Sequence, residues 1–486
     1  NLVLAGNFNM TNTSELFKQL VDLGQYPVET SDTITVLEKI GHFLDEENQK
    51  LYSDYKQKGL SKKEITNHIV DNIDLQTVLS DSAKRWDGGY VIGGLVGHGD
   101  AFIMRDPNGI RPAFYYADDE VIVAASERPV IQTAFDTSFK DIKEVPPGHA
   151  LIIKKDGSIN TSRFMEKKLV KACSFERIYF SRGTDKDIYK ERKALGALLT
   201  PNILEEINYD LKNTVFSYIP NTASVAFQGM MDKIHLFSAE MIKEKILKNK
   251  DNISAEMLNA FFNSNPRTES IAVKDAKLRT FITEDNQRND LVGHVYDVTY
   301  GVVKNGVDTL VVLDDSIVRG TTLKQSIIQI LDRLHPKKII IASSAPQIRY
   351  PDCYGIDMAK LSDFVAFNAA IELLKETKQD HIINDVYNNS KAQENLPMEE
   401  ITNFVKDIYK PFTASQISEK VGQLVKAKGV EADVKVIYQS IENLHIAIPN
   451  HTGDWYFTGN YPTPGGNKVV NQSFINYIEG INSRAY

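Results

Sequence analysis

The stretch VVLDDSIVRGTT, residues 311–322, joins an apolar run, two adjacent acids and a Gly-Thr-Thr turn. Val311, Val312 and Leu313 read as a short buried strand, and from Thr322 onward Leu323, Ile327, Ile330, Leu331 and Leu334 share one helical face. The motif therefore sits on a strand, loop and helix corner. At such a corner the first N–H groups of the helix have no internal partners and the dipole end is positive, so the turn holds a phosphate without a lysine. Gly320 permits close approach, and the hydroxyls of Ser316, Thr321 and Thr322 add donors. Asp314 and Asp315, at the carboxyl end of the strand, accept from vicinal ribose hydroxyls or hold a magnesium ion. The candidate substrate-binding residues are thus Asp314, Asp315, Ser316, Ile317, Val318, Arg319, Gly320, Thr321 and Thr322, with the two acids as metal ligands. A bare Asp-Asp pair would read as a solvated strand end before an ordinary cap; the whole string argues against that.

The chain has 486 residues, 42% of them hydrophobic and 25% charged, which suits two or three domains around a large core. Its formal charge of −8, with no basic arm, argues against nucleic acid as a partner and leaves room only for a local basic pocket. Two cysteines, Cys173 and Cys353, stand far apart, which implies a reduced compartment and excludes a CxxC metal or cluster site. No run is apolar enough to span a bilayer and no signal-peptide pattern is present, so the expected location is cytoplasmic, without a membrane partner. His98, His149, His294 and His335 show no zinc-binding spacing.

Along the chain, Asn12 with Glu15 forms a capping-box-like helix start, followed by Leu16, Leu20 and Leu23 and stopped at Gly24. Strand patterns over 89–96, 101–105, 121–125 and 149–154 are separated by the turns Asp106-Pro107-Asn108-Gly109 and Pro146-Pro147-Gly148, giving a β-rich layer with some helices. From about 173 to 367, strands over 214–219, 309–313 and 338–343 alternate with helical patterns, and the last two form a βαβ unit with a parallel pair. A charged helical stretch, 233–264, reads as a surface insertion. From about 370 the pattern is helical and polar until Pro462 and Pro464 break it.

The form DDSIVRGTT resembles the 5-phosphoribosyl-1-pyrophosphate (PRPP) signature of the type I phosphoribosyltransferases, above all that of the amidophosphoribosyltransferase family. Other stretches share the likeness. LAGNFNMTN resembles that family's oxyanion-hole segment, Ser31-Asp32-Thr33 its glutamine-recognition motif, and DPNGIRP (106–112) with Ala125-Ser126-Glu127 two further glutaminase strings. CSFERIYFSRGTD from Cys173 resembles the entry to the transferase part, Arg279-Thr280-Phe281-Ile282 its mobile loop, and IRYP (348–351), YGID (354–357) and FTGNYPT (457–463) the remainder.

What the resemblance implies is a mixed α/β and α+β chain. Residues 1–165 are the C-terminal part of an Ntn-hydrolase-type (αββα) glutaminase domain. Residues 166–370 form a type I phosphoribosyltransferase domain, a parallel sheet flanked by helices, with a helical insertion near 230–265. Residues 371–486 are a helical C-terminal extension packing on it. The implied reaction transfers glutamine-derived ammonia to C1 of PRPP, giving 5-phosphoribosylamine and pyrophosphate, the first step of purine synthesis. Asn7 is then expected at the oxyanion hole with the Phe8 N–H, Asp32 on glutamine, and Lys274 and Arg279 on the departing pyrophosphate, with Mg2+ as cofactor. Expected partners are PRPP, glutamine or ammonia, and purine nucleotide inhibitors, in a homo-oligomer.

Departures qualify the likeness. The chain begins at Asn1 in what reads as an internal strand, so the family's N-terminal cysteine nucleophile, the strands before it and an early glutamine-binding arginine are expected to be missing, and the 486 residues are expected to release no ammonia from glutamine. Pro220-Asn221-Thr222-Ala223 puts alanine where the family has a serine near the metal, and the loop lysine is shifted to Lys274. Cys173 stands at the place of an iron–sulfur ligand, but the paired cysteines near the end are absent, so no iron–sulfur cluster is expected. Two alternatives remain: a PRPP-binding regulatory protein, which would carry a basic DNA-binding module, and a nucleobase phosphoribosyltransferase, which would not need the front half.

Overall fold

A computed structural model of the chain describes residues 1–262, 265–274, 296–356 and 358–485. The front part contributes β1 (Leu2–Met10), β2 (Gly88–Val96), β3 (Ala101–Arg105), β4 (Phe114–Ala117), β5 (Ile122–Ala125), β6 (Lys143–Glu144), β7 (His149–Ile153) and β8 (Ile159–Arg163). An antiparallel sheet runs β1-β2-β3-β7-β8, and a smaller one runs β5-β4-β6. Alternation along the strands separates two faces. Tyr90, Ile92, Phe102, Met104, Ala150 and Ile152 pack with Leu16, Val36, Ile40 and Leu79 of the helices, while Leu151 meets Ala113, Tyr115 and Val145 beside the smaller sheet.

The rear part contributes β9 (Thr214–Tyr218), β10 (Arg267–Thr268), β11 (Ala272–Lys274), β12 (Tyr296–Val298), β13 (Thr309–Asp314), β14 (Lys338–Ser343) and β15 (Asp433–Tyr438). Five of these form a parallel sheet in the order β10-β9-β13-β14-β15. A parallel sheet must be covered on both faces because its crossovers are helices. Val215, Leu310, Val312, Ile339 and Ile341 accordingly face one core, and Phe216, Val311, Leu313, Ile340 and Ala342 the other. That two-sided burial explains why β13 reads as an unbroken apolar run. Helices Lys186–Glu206 and Ser224–Lys248 cover the second face. The first face lies under the helical run from Gly320 to Asp332 and under Val365–Glu376, Ala414–Val425 and Pro464–Glu479.

Three expectations need correction. Asn12 makes no cap; its side chain donates to the Arg85 carbonyl (2.9 Å) and accepts from the Asp87 N–H (3.3 Å), tying the first helix to the turn before β2. The charged stretch near 230–265 is not wholly a surface insertion: its helix starts at Ser224 and buries Ala226, Phe227, Met230, Met231 and Ile234. The segment after 371 is not wholly helical, since DVKVIY becomes edge strand β15 beside β14. Its alternation of buried Val434, Val436 and Tyr438 with more open Lys435 and Ile437 is a period-two signal.

Candidate functional site

Strand β13 is central in the parallel sheet, and its pairing with β14 places Asp314 opposite Ser343. Asp314 and Asp315 therefore stand at the carboxyl edge of the sheet, where the strand ends and the helical run from Gly320 begins. The Asp315 N–H donates to Asp314 Oδ1 (2.9 Å), the Ser316 hydroxyl to Asp315 Oδ1 (2.9 Å), and Ser344 braces the pair through its N–H on the Asp314 carbonyl (3.0 Å). Burial and then the neighbouring Asp315 push the Asp314 carboxyl well above the usual carboxylate range. Burial likewise raises Asp315 to about 6, with the Ser316 hydroxyl, the Arg192 charge and Thr222 opposing the rise.

The loop beyond them is extended: Arg319 has φ −98° and ψ 111° and caps the helix without a side-chain bond. Among the described residues, the N–H groups of Ile317, Val318 and Arg319 meet no acceptor. Ile317 is buried, Ser316, Val318, Arg319 and Gly320 are partly exposed, and Thr321 is open to solvent. The backbone of Thr322 continues the helix. Unpaired amides, a positive helix end and a carboxylate pair so lie within one corner of the sheet.

Two groups beside the pair carried no clear signal in the sequence. Tyr179 is held above the ordinary phenol range by burial and by Asp315 and Asp314. Arg192 is buried, donating to the Arg177 carbonyl (2.8 Å) and the Ser181 carbonyl (2.6 Å), and burial lowers its guanidinium while Asp315 opposes that. In the sequence Arg192 belongs to a Lys-Glu-Arg-Lys run that looks solvated. Thr222 follows β9 in the segment 220–223, whose Pro220–Asn221 peptide is cis, and Ala223 there is fully buried.

The other candidates fall elsewhere. Asn7 lies on β1 opposite Val91 and lines a cavity of about 610 Å³ with Gly6, Arg111, Glu127, Glu176, Ser181 and Gly355. Phe8 packs against the front core, so its ring serves packing. Asp32 does not line that cavity; it opens helix Asp32–Gln57, where the Ser31 hydroxyl caps the Ile34 N–H at 3.4 Å. Lys274 ends β11, which pairs with β12. Arg279, with the rest of the expected mobile loop, lies outside the described residues.

The Asp106-Pro107-Asn108-Gly109 turn is organised by the Asp106 carboxylate, which accepts the N–H groups of Asn108 (3.0 Å), Ile110 (3.0 Å) and Arg111 (3.2 Å). It delivers Arg111, fully buried, to Glu176 (2.9 Å) and to the Tyr354 carbonyl. Ser181 donates to the same Glu176 (3.2 Å), and Arg192 holds Ser181. A continuous polar path thus runs from the Asn7 cavity toward Asp315. Cys173 is fully buried beside Tyr456, whose hydroxyl is 3.8 Å from its Sγ, and burial pushes its thiol up to about 12. Among the described residues, no cluster of three or more His, Cys, Asp or Glu side chains is placed to hold a metal, and no helix is long and apolar enough to cross a membrane.

Comparison with known proteins points the same way as the corner. The chain is 26% identical over 409 residues to the amidophosphoribosyltransferase of Pasteurella multocida, covering 81% of this chain and 70% of that one. It is 27% identical over 389 residues to the Escherichia coli enzyme, covering 77% of this chain and 66% of that one. The Saccharomyces cerevisiae enzyme is 26% identical over 386 residues, with 77% and 65% covered. This chain is a relative of the amidophosphoribosyltransferases. It spans about two thirds of the length of these curated relatives. Among solved structures, glutamine PRPP amidotransferase from B. subtilis, complexed with ADP and GMP, superposes with a TM-score of 0.59 at 23% identity, covering 95% of this chain and 77% of that one. The allosteric regulatory enzyme of purine biosynthesis superposes with a TM-score of 0.58, also at 23% identity. The mixed α/β and α+β fold expected from the sequence is therefore the fold of PRPP amidotransferases. No family model matches the chain.

Proposed function

We propose that the chain is the PRPP-binding and ammonia-transferring part of an amidophosphoribosyltransferase: ammonia displaces pyrophosphate from C1 of PRPP to give 5-phosphoribosylamine. The observation that carries this is the Asp314–Asp315 pair at the carboxyl edge of a central parallel strand, followed by a loop in which the Ile317, Val318 and Arg319 N–H groups meet no acceptor among the described residues, and then by the helical run from Gly320. In this reading the two carboxylates receive the ribose hydroxyls, and the loop 316–322 receives the 5-phosphate through its N–H groups and hydroxyls. Lys274 and Arg279 keep in this reading the role the resemblance implies for them, contact with the departing pyrophosphate.

The residues present fit a magnesium ion. Two adjacent carboxylates, both destabilised by burial and Asp314 also by Asp315, gain from a divalent cation, and magnesium is commonly held by one or two carboxylates with substrate phosphates and water completing its shell. Asp314 and Asp315 would hold it, and bound there it would neutralise charge on the leaving pyrophosphate. The side chain of Ala223, next in sequence to Thr222, offers no oxygen.

The front part, 1–165, is then the glutaminase side, with Asn7 at its cavity. Residues 166–370 are the transferase, and 371–486 an extension that completes its sheet and core. We read the whole as a cytoplasmic homo-oligomer inhibited by purine nucleotides. A regulator that binds PRPP without turnover is the second reading, favoured only by Ala223. Replacing both acids, Asp314→Asn with Asp315→Asn, tests the site. PRPP affinity measured by calorimetry is expected to vanish, and unchanged affinity in a folded variant would remove the site assignment.

A further inference from the structure

The last three residues of the phosphate loop are gripped from behind by one short segment. The Val365 N–H donates to the Val318 carbonyl (3.0 Å), Arg319 Nε lies 3.4 Å from Asp363 Oδ2, and a Cβ on Gly320 would stand 2.7 Å from Val365 Cγ2. The segment is itself anchored. Leu361 and Phe364 are buried, the Leu361 N–H donates to the Ser473 hydroxyl (3.3 Å) on helix Pro464–Glu479, and Val365 starts the helix that packs under the sheet. Arg319 is the one cation in the string 314–322. Its guanidinium is engaged by Asp363.

We infer that Asp363 is a positioning residue: by engaging Arg319 it fixes the phosphate loop in the form that presents the backbone N–H groups of Ile317, Val318 and Arg319 to a sugar 5-phosphate. This rests on the proposed function of the corner. Both partners are more than one-third exposed, so the pair contributes little to the stability of the fold. What it controls is local. Arg319 has a long, flexible side chain, and without Asp363 it would range over solvent and over the anion site, leaving this end of the loop backbone held by the Val365 N–H and by packing at Gly320. An acid of the same charge and longer reach, as in Asp363→Glu, keeps the engagement.

Calorimetric titration with ribose 5-phosphate and, separately, with inorganic pyrophosphate tests this on the full chain. Asp363→Asn is expected to weaken ribose 5-phosphate binding about two- to fivefold, the upper part of the span of an exposed ion pair, while pyrophosphate affinity and the melting temperature stay unchanged. Asp363→Glu restores the parent value, and Asp363→Asn adds nothing on top of Arg319→Ala. Unchanged or tighter ribose 5-phosphate binding by Asp363→Asn, or an equal loss for both ligands, would overturn the role of Asp363. Failure of the parent chain to bind ribose 5-phosphate at all would instead overturn the proposed function of the corner.

Discussion

Asp314 ends a strand whose preceding residues 310–313 are wholly buried, and Asp315 follows it directly. Burial raises the proton affinity of both carboxyls, and Asp315 adds to the rise at Asp314. The adjacency was legible in the sequence because it needs only a strand, a turn and a helix of known period. Arg192, Tyr179 and Thr222 were not, because their approach to Asp315 depends on tertiary packing of segments more than ninety residues upstream. A second buried charge gives a prediction at this scale. Lys39 donates to Gln19 Oε1 (3.1 Å) and to the Lys84 carbonyl (2.9 Å), and burial with nearby Arg85 lowers its ammonium to about 8. The unfolded lysine binds a proton more tightly than the folded one, so this group costs stability below about pH 8 and the cost is relieved as pH rises toward about 10.5. The stability of the parent relative to Lys39→Met is expected to rise by about 1–3 kcal/mol across that window. Denaturant unfolding at several pH values measures it, and a flat difference would show that Lys39 is not perturbed.

At the scale of elements, the parallel sheet was readable from apolar runs and the front sheet from turn chemistry. β15 was not, since six residues of mixed polarity lie between long helical patterns and gain their strand form by pairing with β14. Helices Lys186–Glu206 and Ser224–Lys248 cover the sheet by crossing at two glycines. A methyl on Gly196 would run into the Ala226 carbonyl, and one on Gly229 into the Lys193 carbonyl. No helical periodicity announces such a contact; only the facing backbone does. Gly196→Ala is expected to destabilise the fold by about 1–3 kcal/mol, although alanine favours a helix by about 1 kcal/mol over glycine. Thermal unfolding checks the sign. A melting temperature at or above that of the parent would mean that the helices do not meet so closely.

Across the whole molecule, Arg111 joins the front sheet to the parallel-sheet part through Glu176 and the Tyr354 carbonyl, and Asp352 Oδ2 lies 3.9 Å away. Its motif was legible as a string, but its task as a buried bridge was not, because the partners lie 65 and 243 residues away. Arg111→Met leaves Glu176 and Asp352 buried without their cation, and is expected to cost about 3–5 kcal/mol. Denaturant unfolding of the full chain reads that loss directly, and an effect below about 1 kcal/mol would show that the bridge does not hold the parts together. The same bridge leads from the Asn7 cavity, through Glu176, Ser181 and Arg192, toward the acid pair, an arrangement that suits the proposed reaction, with ammonia supplied on one side and PRPP held on the other. On the function proposed, this acceptor side performs chemistry on PRPP. Pyrophosphate release from PRPP by the purified chain, with magnesium present and ammonium as the nitrogen donor, tests it most directly. The prediction is release that depends on ammonium and disappears when Asp314 and Asp315 are both asparagine; PRPP binding with no pyrophosphate released at any ammonium concentration would contradict it.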